Sequence, residues 1–311
     1  MKTKTDLFKS TVAVALLCIS QNIFSQQLPH FSQYMQNDFV LNPAVAGSYD
    51  YSPILLTFRS QWTGFNDAPT TQTVSAHTGL NKTMGVGGFL FNDKTGPISR
   101  MGLQLAYAYH LRTGPKSHLS FGIGAIMYQH VLDKSLITLD EQDDNALLGD
   151  KTRKFLADAV FGVKYQFEGF YLGFSSPQLI QSELKINTSK ENKLVRHFFV
   201  NSGYKINVTE DFVIEPSVLF KAITTAPMQI DGNLKFIYQD MIWIGTSYRD
   251  ADAAVIMVGI KRGSFQFGYS YDATLSEIKK YSSGSHEIVM GMLIADLEKS
   301  LKKMNNSKAK Y

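Results

Sequence analysis

Residues 99–112 read SRMGLQLAYAYHLR. Met101, Leu103, Leu105, Tyr107, Tyr109 and Leu111 fall on one face of an extended chain. Arg100, Gly102, Gln104, Ala106, Ala108, His110 and Arg112 fall on the other. Successive side chains of a strand point to opposite sides of its sheet. An apolar face backed by a small or polar one is what lipid outside and a polar lumen inside require. The run is also long. Soluble strands cluster near five or six residues, whereas a tilted strand needs roughly 9–11 to cross a bilayer.

The same reading extends outward in both directions. In 117–130, Leu119, Phe121, Ile123, Ala125 and Met127 oppose His118, Ser120, Gly122 and Gly124. In 157–167, Ala159, Phe161, Val163, Tyr165 and Phe167 oppose Asp158, Gly162, Lys164 and Gln166. In 264–272, Phe265, Phe267, Tyr269 and Tyr271 oppose Ser264, Gln266, Gly268, Ser270 and Asp272. Together with runs near 52–62, 70–80, 84–93, 169–176, 195–206, 211–221, 229–239, 241–249, 253–262 and 285–294, these predict roughly fourteen strands, an even number as bacterial barrels favour. Two runs, 241–249 and 253–262, are apolar on both faces. The expected fold is an all-β transmembrane antiparallel barrel over 51–294. A lipid-facing sheet must close, because an unpaired edge cannot sit in hydrocarbon.

Punctuation and composition agree. NDKTGP at 92–97 and TGPK at 113–116 are turns. The segments 132–155 and 177–192 are expected as longer loops, the first carrying Asp140, Glu141, Asp143 and Asp144. Charged residues make up 19% of the chain, below the usual ~25%, and aromatics 12%. The formal net charge of +4 gives no reason to expect nucleic acid as a partner. Lys2, Lys4 and Lys9 precede the apolar run TVAVALLCI at 11–19. It is too short to span a bilayer as a helix, so 1–25 is read as a secretory signal cut near Ser25–Gln26. Cys18, the single cysteine, lies within it. Leu17 before it is too large for a lipidation motif. The mature chain would then hold a 26–50 extended, plug-like segment, the barrel, and a basic tail at 295–311. Outer-membrane lipid is the expected surround.

Chemical sites are sparse. The acidic loop lacks the spacing and central Gly of an EF-hand and reads as solvated. No G-x-S-x-G occurs, and no spacing ties a particular Ser to a particular His. His286-Glu287 lacks the zincin spacing and points to opposite strand faces. No catalytic, metal or cofactor-binding residue is therefore expected, and no cofactor. Gly85, Gly87 and Gly88 sit in a strand pattern, where Gly marks close packing or wall bending and not a nucleotide loop. Arg59, Asp158, Arg196 and Asp231 are expected in the lumen, lining a conduit or forming salt-bridged ladders.

PHFSQYMQNDFVLNPAVAG at 29–47 resembles the N-terminal signature of the PorP/SprF family, through Phe31, Gln33, Tyr34, Asn37, Asn42, Pro43, Ala44 and Gly47. Arg59, Gln61 and Trp62, then Pro69, Thr71 and His77, continue the family pattern, as do WIGTSYR at 243–249, FGYSYD at 267–272 and SGSHEI at 283–288. The resemblance implies a non-enzymatic outer-membrane component of type IX secretion in the Bacteroidetes. It also implies partners: other secretion components, a cargo bearing a C-terminal sorting domain such as a gliding adhesin, and a peptidoglycan-binding lipoprotein. Gln33, Tyr34, Asn42, Arg59 and Trp62 are the partner-contact candidates, with pinning of 26–50 to the wall as the plainer role. A general diffusion channel or solute transporter is the alternative function, and a barrel lipid hydrolase a third. The basic tail departs from the family of barrels that end on a terminal aromatic strand.

Overall fold

The computed structural model describes residues 29–137, 151–184, 192–224 and 226–295. The expected signal at 1–25 with Cys18, the acidic residues Asp140, Glu141, Asp143 and Asp144, and tail residues 296–311 lie outside them.

Fourteen antiparallel strands form one closed up-and-down barrel. In chain order they are β1 (Tyr51–Ser60), β2 (Thr70–Gly79), β3 (Met84–Thr95), β4 (Ile98–Arg112), β5 (Ser117–Asp133), β6 (Lys151–Phe167) and β7 (Phe170–Ser176). Then come β8 (His197–Tyr204), β9 (Phe212–Ile223), β10 (Ala226–Tyr238), β11 (Ile242–Arg249), β12 (Ala253–Arg262), β13 (Phe265–Thr274) and β14 (Ser285–Ala295). Each strand pairs with its chain neighbours. The ring closes where Tyr51–Ser60 meets Ala295–His286 in register. The β8–β9 ladder is interrupted between Gly203↔Ser217 and Ile206↔Ile214. Pro216 sits in that gap, and it has no N–H to give.

Alternation decides the two surfaces. On β4, Met101, Leu105, Tyr107, Tyr109 and Leu111 are exposed, while Gln104, Ala106, Ala108 and His110 are buried. The same split holds on β11 and β12, where Ile242, Ile244, Ile256, Val258 and Ile260 face out. These outward residues form the lipid-facing band of an outer-membrane protein. Their burial in lipid, not in protein, is what removes them from water.

One boundary differs from expectation. The loop predicted at 132–155 is shorter, because β5 and β6 stay paired out to Asp133↔Lys151. A 2.8 Å ion pair between Lys151 and Asp133 closes that ladder. KTRKFL at 151–156 loses the apolar outer face, so its strand character was not visible as alternation.

Connections at the two ends differ in length. At the end carrying Tyr51 and Ala295 they run over 80–83, 113–116, 168–169, 205–211, 239–241 and 263–264. At the other end 61–69, 134–150, 177–196 and 275–284 are long. Long loops face the cell surface in barrels of this kind.

Candidate functional site

The inward-facing side chains are almost all sheltered. Thr57, Arg59, Thr71, Thr73, Ser75, His77, Asp158, Lys164, Asn233, Lys235, Ser247 and Ser270 are buried although they point into the lumen. A water-filled channel would leave such polar groups wet. Residues 29–50, which run inside the barrel from its long-loop end to its short-turn end, shelter most of them, and the backbone of 180–182 covers Asp158. Ser32 lies near the outer ends of β1, β13 and β14, and Gly47 beside β2 and β3.

Local sequence shapes this segment. Two short 3-10 turns, Asp38–Val40 and Pro43–Val45, keep it compact. Asn42 caps the second turn, its Oδ1 accepting from Ala44 N at 2.9 Å, and Pro43 follows at the first helical position. The Asn42 amide also donates to the carbonyls of Val163 (3.0 Å) and Phe174 (3.2 Å), gripping β6 and β7 at once.

The wall is recessed to receive the segment. A Cβ on Gly122 would stand 2.2 Å from Ala44 N, one on Gly85 2.0 Å from Ala46 O, and one on Gly162 2.0 Å from the Asn42 side chain. The glycines of β3, β5 and β6 are therefore close-approach positions. Apolar contacts complete the fit. Phe39, Val45 and Ala46 pack on Ala106 and Ala108, and Tyr34 on Phe199 and Leu219. Met35 meets Trp243, Val255 and Met257. This explains why β11 and β12 are apolar on both faces: lipid covers one, and the lumen segment covers the other.

One charged cluster fastens the outer end. The Glu287 carboxylate accepts from Ser32 N and Gln33 N, both at 2.8 Å. Arg59 donates to Asp272 (2.8 Å), Ser32 Oγ (2.9 Å) and Glu287 (3.2 Å). Ser32 Oγ in turn donates to Asp272 at 2.6 Å. Arg249 joins through Ser32 and Asp272 and pairs with Asp231, which also holds Lys221 at 2.8 Å. Arg59 and Asp231 thus belong to an interior ladder, one of the two forms expected. Asp158 instead accepts from the backbone N–H groups of Ile180 and Ser182, and Arg196 donates to Leu179 O. Lower down, Lys164 pairs with Asp38 at 2.8 Å, and Tyr49 donates to the same carboxylate. His77 accepts from Gly47 N at 3.1 Å.

Of the five contact candidates, Gln33, Tyr34, Asn42 and Arg59 come together inside the barrel, on the lumen segment and the wall that holds it. Trp62 does not join them. It sits half-buried at the rim in the 61–69 loop, its backbone N–H donating to Ser285 Oγ at 3.0 Å. That loop is tied to 275–284 by Thr63 N to Gly284 O and Ser283 N to Thr63 O, both 2.7 Å. Sequence reading missed Ser32, Glu287 and Asp272 as fastenings, since Ser32 meets Asp272 and Glu287 across 240 and 255 positions. It also missed a Ser–His pair: His110 Nδ1 and Ser120 Oγ are 2.8 Å apart on paired positions of β4 and β5. Both are buried, and His110 Nε2 is engaged by Ala46 O at 2.9 Å. Acyl transfer needs room for a substrate carbonyl beside the nucleophile, and the lumen segment fills that room. No group of His, Cys, Asp and Glu suited to a metal occurs among the described residues.

The Asn42 grip gives a direct prediction. Asn42→Ala removes a cap and two cross-strand bonds, which should cost about 1–3 kcal/mol. The check is the urea midpoint at which the compact band on semi-native gels gives way to the unfolded one. Asn42→Asp, which turns a buried carboxylate toward both carbonyl oxygens, should cost more than Ala despite keeping the cap.

The profile of the family described as "Type IX secretion system membrane protein PorP/SprF" matches residues 23–292. No curated protein matches the sequence. Among solved structures, a Pseudomonas aeruginosa FadL homologue superposes with a TM-score of 0.50 at 8% identity, over 82% of this chain and 92% of that one. The CymD monoaromatic hydrocarbon channel superposes at 0.48 with 9% identity, over 87% and 94%. At such identities the first likeness speaks to the barrel fold alone.

Proposed function

This chain belongs to the PorP/SprF family of type IX secretion system membrane proteins, and from that premise we propose a non-enzymatic barrel that supports export or surface anchoring of sorting-domain proteins such as adhesins. The family match across 270 residues, from 23 to 292, carries the reading. The packed lumen favours it over a diffusion channel, since a solute path would need the space that residues 29–50 take. A barrel without a free bore acts through its surfaces.

Gln33, Tyr34, Asn42 and Arg59 then serve to hold 29–50 in place. Trp62 is the candidate for direct partner contact, on a rim where its own loop carries the exposed Phe65 and the bracing 275–284 loop the exposed Tyr281. Aromatic side chains bury much area with a polar tip and dominate protein contacts. The partners are other secretion components and a sorting-domain cargo, with a peptidoglycan-binding lipoprotein at the periplasmic face.

Deleting the gene should abolish surface display of one sorting-domain protein and leave small-solute permeability unchanged. Affinity purification from native membranes should recover type IX components, and the Trp62→Ala/Phe65→Ala double variant should lower that recovery about tenfold while its folded gel band persists. Recovery of the barrel alone, with solute uptake defects on deletion, would overturn the reading.

A further inference from the structure

Between the outer arm of the lumen segment and the wall formed by β8, β9 and β10 lies a cavity of about 240 Å³. Its walls are mostly apolar: Phe31 and Leu41 from the segment, Phe199, Leu219 and Ile223 from the strands. Polar groups interrupt them at His30, Tyr34, His197, Lys221 and Gln229. The Lys221 ammonium has three protons to donate, with Asp231 at 2.8 Å and Gln229 at 3.4 Å as protein partners. The His30 ring also lines the cavity, its Nδ1 closed to solvent and without a hydrogen-bond partner among the described residues.

We propose that this cavity is a binding site for a small amphipathic acid, with the apolar body among Phe31, Phe199 and Leu219 and the carboxylate on Lys221 Nζ. The size argues for a compact ligand, since drug-sized sites start near ~300 Å³. The Lys221 ammonium has two protein partners for three protons, and a carboxylate takes a charge-assisted bond from it that a neutral ligand does not. The site stands apart from the secretion role and does not depend on it.

The test uses the full mature protein in nanodiscs, with octanoate and 1-octanol as probes in isothermal titration. Octanoate should bind at least tenfold tighter than octanol, the worth of one charge-assisted bond. Lys221→Gln should abolish that difference by weakening octanoate alone. Arg249 still neutralises Asp231 in this variant, so the barrel should keep its folded gel band. Ile223→Trp, which fills the cavity and leaves the charges alone, should remove binding of both probes. Equal binding of acid and alcohol, or octanoate binding unchanged in Lys221→Gln, overturns the proposal. So does binding that appears only when the residues ahead of Pro29 are removed, because the chain itself would then be the occupant.

Discussion

Replacing Arg59 by Ala should destabilise the protein by about 3–5 kcal/mol, the cost of leaving buried carboxylates without their partner. Arg59 is buried, as are Asp272 and Glu287. It bridges both and also donates to Ser32. Asp272 retains Arg249 at 3.4 Å. Glu287 keeps only the two backbone donors of the lumen segment and no described ion-pair partner. The loss should therefore be felt first at Ser32 and Gln33. The arm from residue 29 to 34 should become a protease target from the cell surface while the strands remain resistant. Arg59→Lys should rescue little, because an ammonium lacks the planar fork that reaches two carboxylates and a hydroxyl together. An unfolding free energy within about 1 kcal/mol of wild type, with the arm still protected, would show that the charged cluster is not the fastening.

The second large effect is steric. Gly122→Leu should expel the Pro43–Val45 turn from the lumen, since even a Cβ would stand 2.2 Å from Ala44 N and 2.3 Å from Pro43 C. Both are backbone atoms, so no rotamer change relieves the contact. Overpacking of this kind costs about 1–3 kcal/mol and sometimes more. Gly232→Ala is the control, for a Cβ there meets nothing within 4 Å. The expected result is a lowered urea midpoint and a protease-sensitive 29–50 for Gly122→Leu, with Gly232→Ala indistinguishable from wild type. Two variants of equal stability would mean that the segment does not rest on β5 in the membrane.

The barrel was legible in the sequence because lipid imposes a simple rule on every strand. Met101 to Leu111 and Phe265 to Tyr271 each show the outer face directly, and the expected runs match the observed strands to within a few residues at most ends. The failures lie where another partner replaces lipid or water. Trp243, Val255 and Met257 blurred the alternation because their inner face meets Met35. Lys151–Leu156 hid a strand end because charge had replaced its apolar outer face. Gly122 and Gly162 were readable as glycines of a wall, but what they admit depends on Ala44 and Asn42, far away in sequence. The fastening of Ser32 by Glu287 joins positions 255 apart, and a single sequence has no period that encodes such a pair. The family motifs mark the same residues: Arg59, Asp272 and Glu287 each lie within one of the blocks that carry the resemblance, and the structure shows these blocks meeting at the outer end of the lumen.

On the proposed function, residues 29–50 close the barrel and the protein works through its surfaces. Planar-bilayer recording of the purified mature protein tests it most directly. The wild type should show no stable conductance, and Arg59→Ala or Gly122→Leu should show discrete openings as the segment leaves the lumen. Steady ohmic conductance from the wild type, unchanged in either variant, would contradict it.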